Sequence, residues 1–215
     1  MTVKPPEDVM AGRMHRLGWA GAFLVFVLAV TMGYSLWRGS ERREVVNLPV
    51  LRAVPEFSLT DQTGEAVSKD SLRGNIWIAN FFFTRCQGPC PQLNARMAEM
   101  QKALAKAPGV KLVSVSVDPA HDTTEVLRKY GEEFQADPAK WKLLTGDPDV
   151  VKKLVREGFA QMLEDGPDAQ PVHGTIFLMV DGHGMVRGVY MLEDPELIPK
   201  MLLDAGNLLR EQGQG

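Results

Sequence analysis

Cysteine is nearly absent from this 215-residue chain, which has two. Two thiols cannot build a disulfide framework, and what remains is one redox pair, one plain disulfide or part of one metal site. A strong charge of either sign is missing too. The formal net charge is −3, and Lys and Arg are spread along the chain without forming a basic stripe, so nucleic acid is not an expected partner. Internal repeats and low-complexity runs are lacking. What is present is the composition of a globular protein, 45% hydrophobic and 24% charged, in a chain long enough for one well-buried domain and an appendage.

Charge disappears altogether between Leu17 and Trp37, LGWAGAFLVFVLAVTMGYSLW. A helix of about 21 residues rising about 1.5 Å each matches the roughly 30 Å hydrocarbon core of a bilayer. Trp19 near one end, with Tyr34 and Trp37 near the other, suits interfacial belts. The run has no polar face. It is longer than a usual signal-peptide core, and no small-x-small site or cysteine directly follows it, so an uncleaved anchor is favoured over a cleaved signal or a lipoprotein. Lys4, Arg13 and Arg16 precede the run, and Arg38, Arg42 and Arg43 follow it. Charge therefore leaves orientation open. The short tail and the large C-terminal part predict tail inside and domain outside. The expected organisation is a tail over 1–16, a transmembrane anchor over 17–37, a linker over 38–53 and a folded domain over 54–215.

Within that domain, Phe57 to Val67 reads as a hairpin around Asp61-Gln62-Thr63-Gly64, and Ser68 to Arg73 as a short turn or helix. Ile76 to Phe83 and Val110 to Val117 are apolar runs that predict strands buried on both faces. Helices are expected over Gln92–Lys106, Thr123–Phe134, Pro148–Phe159 and Pro195–Arg210. A brief strand is expected at Trp141–Leu144, a loop at Gly166–Pro171, and a hairpin of Thr175–Val180 and Met185–Met191. Strands and helices alternate and then give way to a hairpin and a helix, which predicts an α/β layer sandwich around a central sheet.

The two cysteines, Cys86 and Cys90, stand four apart where the first buried strand meets a helical pattern. Sites in open α/β sheets gather at the carboxyl ends of parallel strands. Cys86 is expected just past such an end and Cys90 one helical turn later on the same face, where the helix N-terminus favours thiolate. Two soft thiolates suit Cu(I), and a third soft or borderline donor would tighten the site. Four histidines could supply it: His15 ahead of the apolar run, His121 after Asp118-Pro119, His173 after Gln170-Pro171-Val172, and His183 in a tight turn. His15 falls in the tail, on the far side of the expected anchor; His183 reads as a solvated turn residue; His121 follows a central strand but reads most simply as an exposed loop histidine. The spacing fits a metal site, a redox pair and a structural disulfide alike. A peroxidase of the peroxiredoxin type fits poorly, because Thr84 precedes Cys86 by two positions and not three.

Several ordered segments carry a family resemblance. They are Phe83-Thr84-Arg85-Cys86-Gln87-Gly88-Pro89-Cys90-Pro91, Val113-Ser114-Val115-Ser116-Val117-Asp118-Pro119-Ala120-His121-Asp122-Thr123, Trp141-Lys142-Leu143-Leu144-Thr145-Gly146 and Val172-His173-Gly174-Thr175-Ile176-Phe177-Leu178. Through them the chain, from about Val54 to Leu203, resembles the Sco/SenC family of copper-binding, thioredoxin-like proteins. The resemblance implies a thioredoxin-like α/β/α sandwich with a central mixed sheet behind one transmembrane helix. It implies Cys86, Cys90 and His173 as copper ligands, and Asp118 as a structural acid near the site. It implies copper delivery to the dinuclear copper site of cytochrome c oxidase, or reduction of that site's cysteines by a Cys86–Cys90 redox pair. The implied partners are the oxidase subunit carrying that site and another copper chaperone or thiol reductant. The implied location is a single-pass membrane protein with its domain on the exocytoplasmic face.

Overall fold

The computed structural model describes residues 25–34, 48–158, 164–165, 171–172 and 175–213. The chain divides into two units, Met1–Glu44 and Val45–Gly215. In the first, residues 25–34 form a helix, α1, with exposed apolar side chains such as Phe26 and Leu28. The rest of the expected span, 17–24 and 35–37, lies outside the described residues. No described helix is long and apolar enough to cross a membrane.

The second unit is built on an eight-stranded mixed sheet in the order β1-β10-β9-β4-β5-β6-β2-β3. Three parallel strands lie inside it: β4 (Ile76–Phe82), β5 (Val110–Ser116) and β6 (Trp141–Thr145). Antiparallel hairpins flank them, with β2 (Ser58–Asp61) and β3 (Ala66–Ser68) on one side, and β9 (Ile176–Val180) and β10 (Met185–Met191) on the other. A two-residue strand, β1 (Arg52–Ala53), edges β10. Every residue of β4 is buried, and all of β5 but Lys111. Strands that bury both alternating sets of side chains need cover on both faces.

Helices supply that cover: α2 (Cys90–Ala103), α3 (Thr124–Glu133), α4 (Pro148–Lys153) and α5 (Leu197–Glu211). The side chain of Thr123 caps α3, and Asp147 caps α4 with Pro148 behind it, so two of these starts were written locally. The helix expected over Pro148–Phe159 loosens after Lys153 into a π-helical turn, Leu154–Gly158. The segment expected as a loop over Gly166–Pro171 is flanked by a two-stranded ribbon of β7 (Glu164–Asp165) and β8 (Pro171–Val172).

Candidate thiol and metal site

The site starts where β4 runs out. Phe82 is its last paired residue, and its carbonyl takes the N–H of Val117 at 2.9 Å, carrying the β4–β5 ladder one step further. Thr84 and Arg85 then turn the chain, and the Cys86 N–H donates to the Phe83 carbonyl at 3.2 Å. The first helical hydrogen bond, Leu93 N–H to the Pro89 carbonyl, makes Cys90 the first residue of α2 and Pro91 the second. Proline suits the first helical turn because the N–H it lacks would have no helical partner there. Cys86 therefore lies in the turn, not on the helix as the four-residue spacing suggested. The turn brings the two thiols together, and they share a hydrogen bond.

Neither cysteine forms a disulfide; Cys90 is fully buried and Cys86 half-buried. Burial, followed by the hydrogen bond from Cys86, pushes the Cys90 thiol far above its ordinary range. The backbone N–H groups of Phe83 and of Cys90 itself pull the other way and are outweighed. The expectation that the helix N-terminus would favour thiolate is thus overturned at Cys90, where desolvation dominates. Cys86 is the thiol that solvent and a partner can reach. Gly88 leaves it open: a Cβ there would stand 3.9 Å from the Cys86 Sγ.

Two aspartates from the loop after β5 hold the cysteine turn. Asp122 is fully buried and accepts hydrogen bonds from the N–H and hydroxyl of Thr84 and from the hydroxyl of Ser116. One carboxylate thereby ties the loops after β4 and β5 together. Asp118 sits at the strand end, as expected, and pairs with Arg85 Nη2 at 2.7 Å and with His121 Nδ1 at 3.0 Å. That arrangement commits one ring nitrogen of His121 to the rim beside the thiols. His183 lies in the β9–β10 turn at the opposite end of the sheet. His15 and His173 lie outside the described residues, so the third ligand implied by the resemblance has no described position. Among the described residues no three His, Cys, Asp or Glu side chains converge as a metal-binding group.

Beneath the thiols runs a row of buried polar side chains. Trp141 Nε1 donates to Ser114 Oγ at 2.8 Å, and Ser114 Oγ donates to Asn80 Oδ1. Asn80 Nδ2 donates to Asn94 Oδ1 at 3.0 Å, and Asn94 Nδ2 to the Tyr130 hydroxyl at 2.9 Å. Asn94 is one turn after Cys90 on the buried stripe of α2, so this row fixes the depth at which the helix start, and Cys90 with it, sits on β4. Burial raises the Tyr130 phenol well above its usual range, and nearby Cys90 and Cys86 push it the same way. Its ring stacks on Phe82 at 5.2 Å.

Sequence reasoning named Asp118 and passed over Asp122, Asn80, Asn94 and Tyr130. One signal was available: Asn80 interrupts an otherwise apolar strand, and a buried amide requires a partner.

The family model described as SCO1/SenC matches residues 48–202. An SCO1 protein homolog of Bacillus subtilis is 32% identical over 146 residues, covering 66% of this chain and 75% of that protein. Among solved structures, this chain is similar to BsSco, a member of the Sco family of cytochrome c oxidase assembly proteins in which a disulfide switch has been identified. The two are 28% identical with a TM-score of 0.68, over 76% of this chain and 96% of the other. ScoI of Bradyrhizobium japonicum, solved with copper bound, is 26% identical with a TM-score of 0.61, over 73% and 99% of the two chains.

Proposed function

The chain belongs to the SCO1/SenC family, and from that premise we propose that it is a membrane-anchored carrier of copper. It receives Cu(I) on Cys86 and Cys90 and delivers it during assembly of the dinuclear copper site of cytochrome c oxidase. One observation carries the reading: two thiols, not joined in a disulfide, share a hydrogen bond at the carboxyl end of a central parallel strand, one sealed in the core and one half-buried. The donor chemistry fits the cargo, since soft sulfur ligands select Cu(I). Cys90, embedded among core side chains, gives the metal a fixed anchor. Cys86, half-buried in its turn, is the ligand that an incoming thiol would replace. His173 completes a three-donor set that remains open enough for release. Anchoring falls to residues 17–37, with residues 1–16 as a cytoplasmic tail, 38–53 as linker and 54–215 as an exocytoplasmic domain.

The test is Cu(I) stoichiometry and affinity of the reduced protein, measured by competition with a chromogenic chelator. Uptake of one ion, abolished by Cys86→Ser and by Cys90→Ser and weakened by His173→Ala, is the expected result. Uptake untouched by Cys86→Ser would remove the reading, and affinity untouched by His173→Ala would remove the histidine from the ligand set.

A second reading is favoured by the hydrogen bond between the thiols. Cys86 would attack a partner's disulfide and Cys90 would resolve the mixed disulfide, so that the partner leaves as a dithiol and this chain as the Cys86–Cys90 disulfide. Reduction of a partner's cysteines that persists in His173→Ala while copper uptake fails separates this activity from the first.

A further inference from the structure

The end of the sheet opposite the cysteines carries a different chemistry. Register places Arg52, Val186, Val180, Trp77 and Lys111 in one row across β1, β10, β9, β4 and β5. Four strand steps of about 4.8 Å make that row roughly 19 Å wide. At its β5 end, Lys102, Lys111, Lys140 and Asp137 help to line an open cleft of about 430 Å³. Lys111 Nζ donates to the Ala139 carbonyl at 2.9 Å, and Lys140 Nζ to the Ala107 carbonyl at 2.6 Å. Lys106, exposed, precedes Ala107 in the chain. Among the described residues no carboxylate pairs with any of these four lysines. The cleft's one lining carboxylate, Asp137, already accepts from the Ala139 N–H at 2.9 Å. Burial, and then the charge of Lys111, hold the Lys140 ammonium below its usual range, as expected where cations gather without a counter-ion.

At the β1 end of the same row, Val50 and Leu51 are 58% and 49% exposed, and the Leu51 N–H is held on the Val186 carbonyl at 2.9 Å. Here the chain enters the domain. The Leu48 carbonyl is fixed by Arg187, whose guanidinium also binds Asp181 of the β9–β10 turn and Glu211 at the end of α5. The cysteine end carries Asp118, paired with Arg85, and Asp194, paired with Lys200, together with Asp147, Asp149, Glu193 and Glu196.

We propose that the amino end of the parallel strands is a docking surface for an anionic lipid bilayer. Lys102, Lys106, Lys111 and Lys140 meet headgroup phosphates while Val50 and Leu51 enter the interface. The occupant follows from three features. Lysines without a carboxylate partner at one end of a face about 19 Å wide, and exposed aliphatic side chains at the other, are the chemistry of a membrane surface. The described part of the domain begins at this end, at Leu48. The ten residues 38–47 span at most about 33 Å, so this face stays within reach of any bilayer that holds the run. The inference rests on residues 17–37 being an anchor. Docking turns the acidic end and Cys86 away from the lipid, toward a partner.

The test uses the full chain reconstituted in vesicles of phosphatidylcholine, with and without phosphatidylglycerol. Lysines are acylated with a water-soluble reagent and read by mass spectrometry. Modification of Lys102 and Lys106 should slow at least about fivefold in the anionic vesicles, with Lys152 and Lys153 of α4 unchanged. Protection should vanish in about 1 M salt, where the screening length is roughly 3 Å, and should fall in a Lys111→Gln/Lys140→Gln variant. Equal labelling in both vesicle types, or slowing spread evenly over Lys152 and Lys153, would overturn the proposal. Carbonate extraction of the same samples tests the anchor separately. A chain that stays embedded but shows no protection retains its anchor and loses the docking face.

Discussion

At the carboxyl end of β4 and β5, polar groups are bound across loops: Asp122 grips Thr84 and Ser116, and Asp118 pairs with Arg85 and His121. What is left over is a thiol. At the amino end the knot is Arg187 with Asp181, Glu211 and the Leu48 carbonyl, and what is left over is a set of lysines. Each end spends one buried carboxylate on rigidity and leaves one kind of group uncommitted. The difference between a soft nucleophile at one end and hard cations at the other sets what each end can bind.

The largest blow to this symmetry should come from Arg187→Ala, which leaves Asp181 buried without its cation. Breaking a buried pair in that way costs about 3–5 kcal/mol, measurable by urea unfolding. If the ends are independent, alkylation of Cys86 in the still-folded fraction keeps its rate. Next comes Asp122→Ala, which strands the Thr84 N–H and the Ser116 hydroxyl. A loss of about 2–4 kcal/mol is expected, and here the alkylation rate of Cys86 should rise as its turn loosens; an unchanged rate would mean the turn is held by something else.

Titration sharpens the contrast with smaller effects. The Cys90 thiol is raised in the folded state, so the stability it contributes is full below about pH 8.5 and drains away at higher pH. Cys90→Ala should flatten that alkaline limb in the reduced, metal-free protein. On the β2 side of the sheet, burial pushes the Asp61 carboxyl up, but Lys142, Thr63 and Glu65 together hold it below its ordinary range. Its contribution is present above about pH 4 and is lost as pH falls through its lowered value. Asp61→Asn should flatten the acid limb alone, and thermal melts across pH would show whether the two limbs separate. The smallest effect belongs to Arg85→Ala. It removes a half-exposed ion pair and should change stability by under about 1 kcal/mol, while altering the salt dependence of partner binding measured by titration.

Much of this was legible in advance where the signal was local. The apolar runs of β4 and β5, the cap residues Thr123 and Asp147, and the alternating order of elements specify a layered sheet without help from distant residues. The thiol pair could be found from its spacing, but the depth of each sulfur could not. Burial of Cys90 depends on where α2 begins and on Asn94 meeting Asn80 across the sheet. The roles of Asp118 and Asp122 were equally hidden. They lie four residues apart in one loop, and only the contact from Asp122 back to Thr84, 38 positions away, marks which of them is inside. The π-helical turn at Leu154–Gly158 follows a helix whose pattern gave no warning of it.

The Arg187 knot has a mechanical consequence. Because the Leu48 carbonyl is fastened before the chain reaches the two-residue β1, a pull on the segment ahead of it is borne first by a guanidinium braced on a turn and on a helix end. The weakly paired edge strand lies downstream of that fastening. Force applied ahead of Leu48 meets that fastening before it can peel the edge strand from β10.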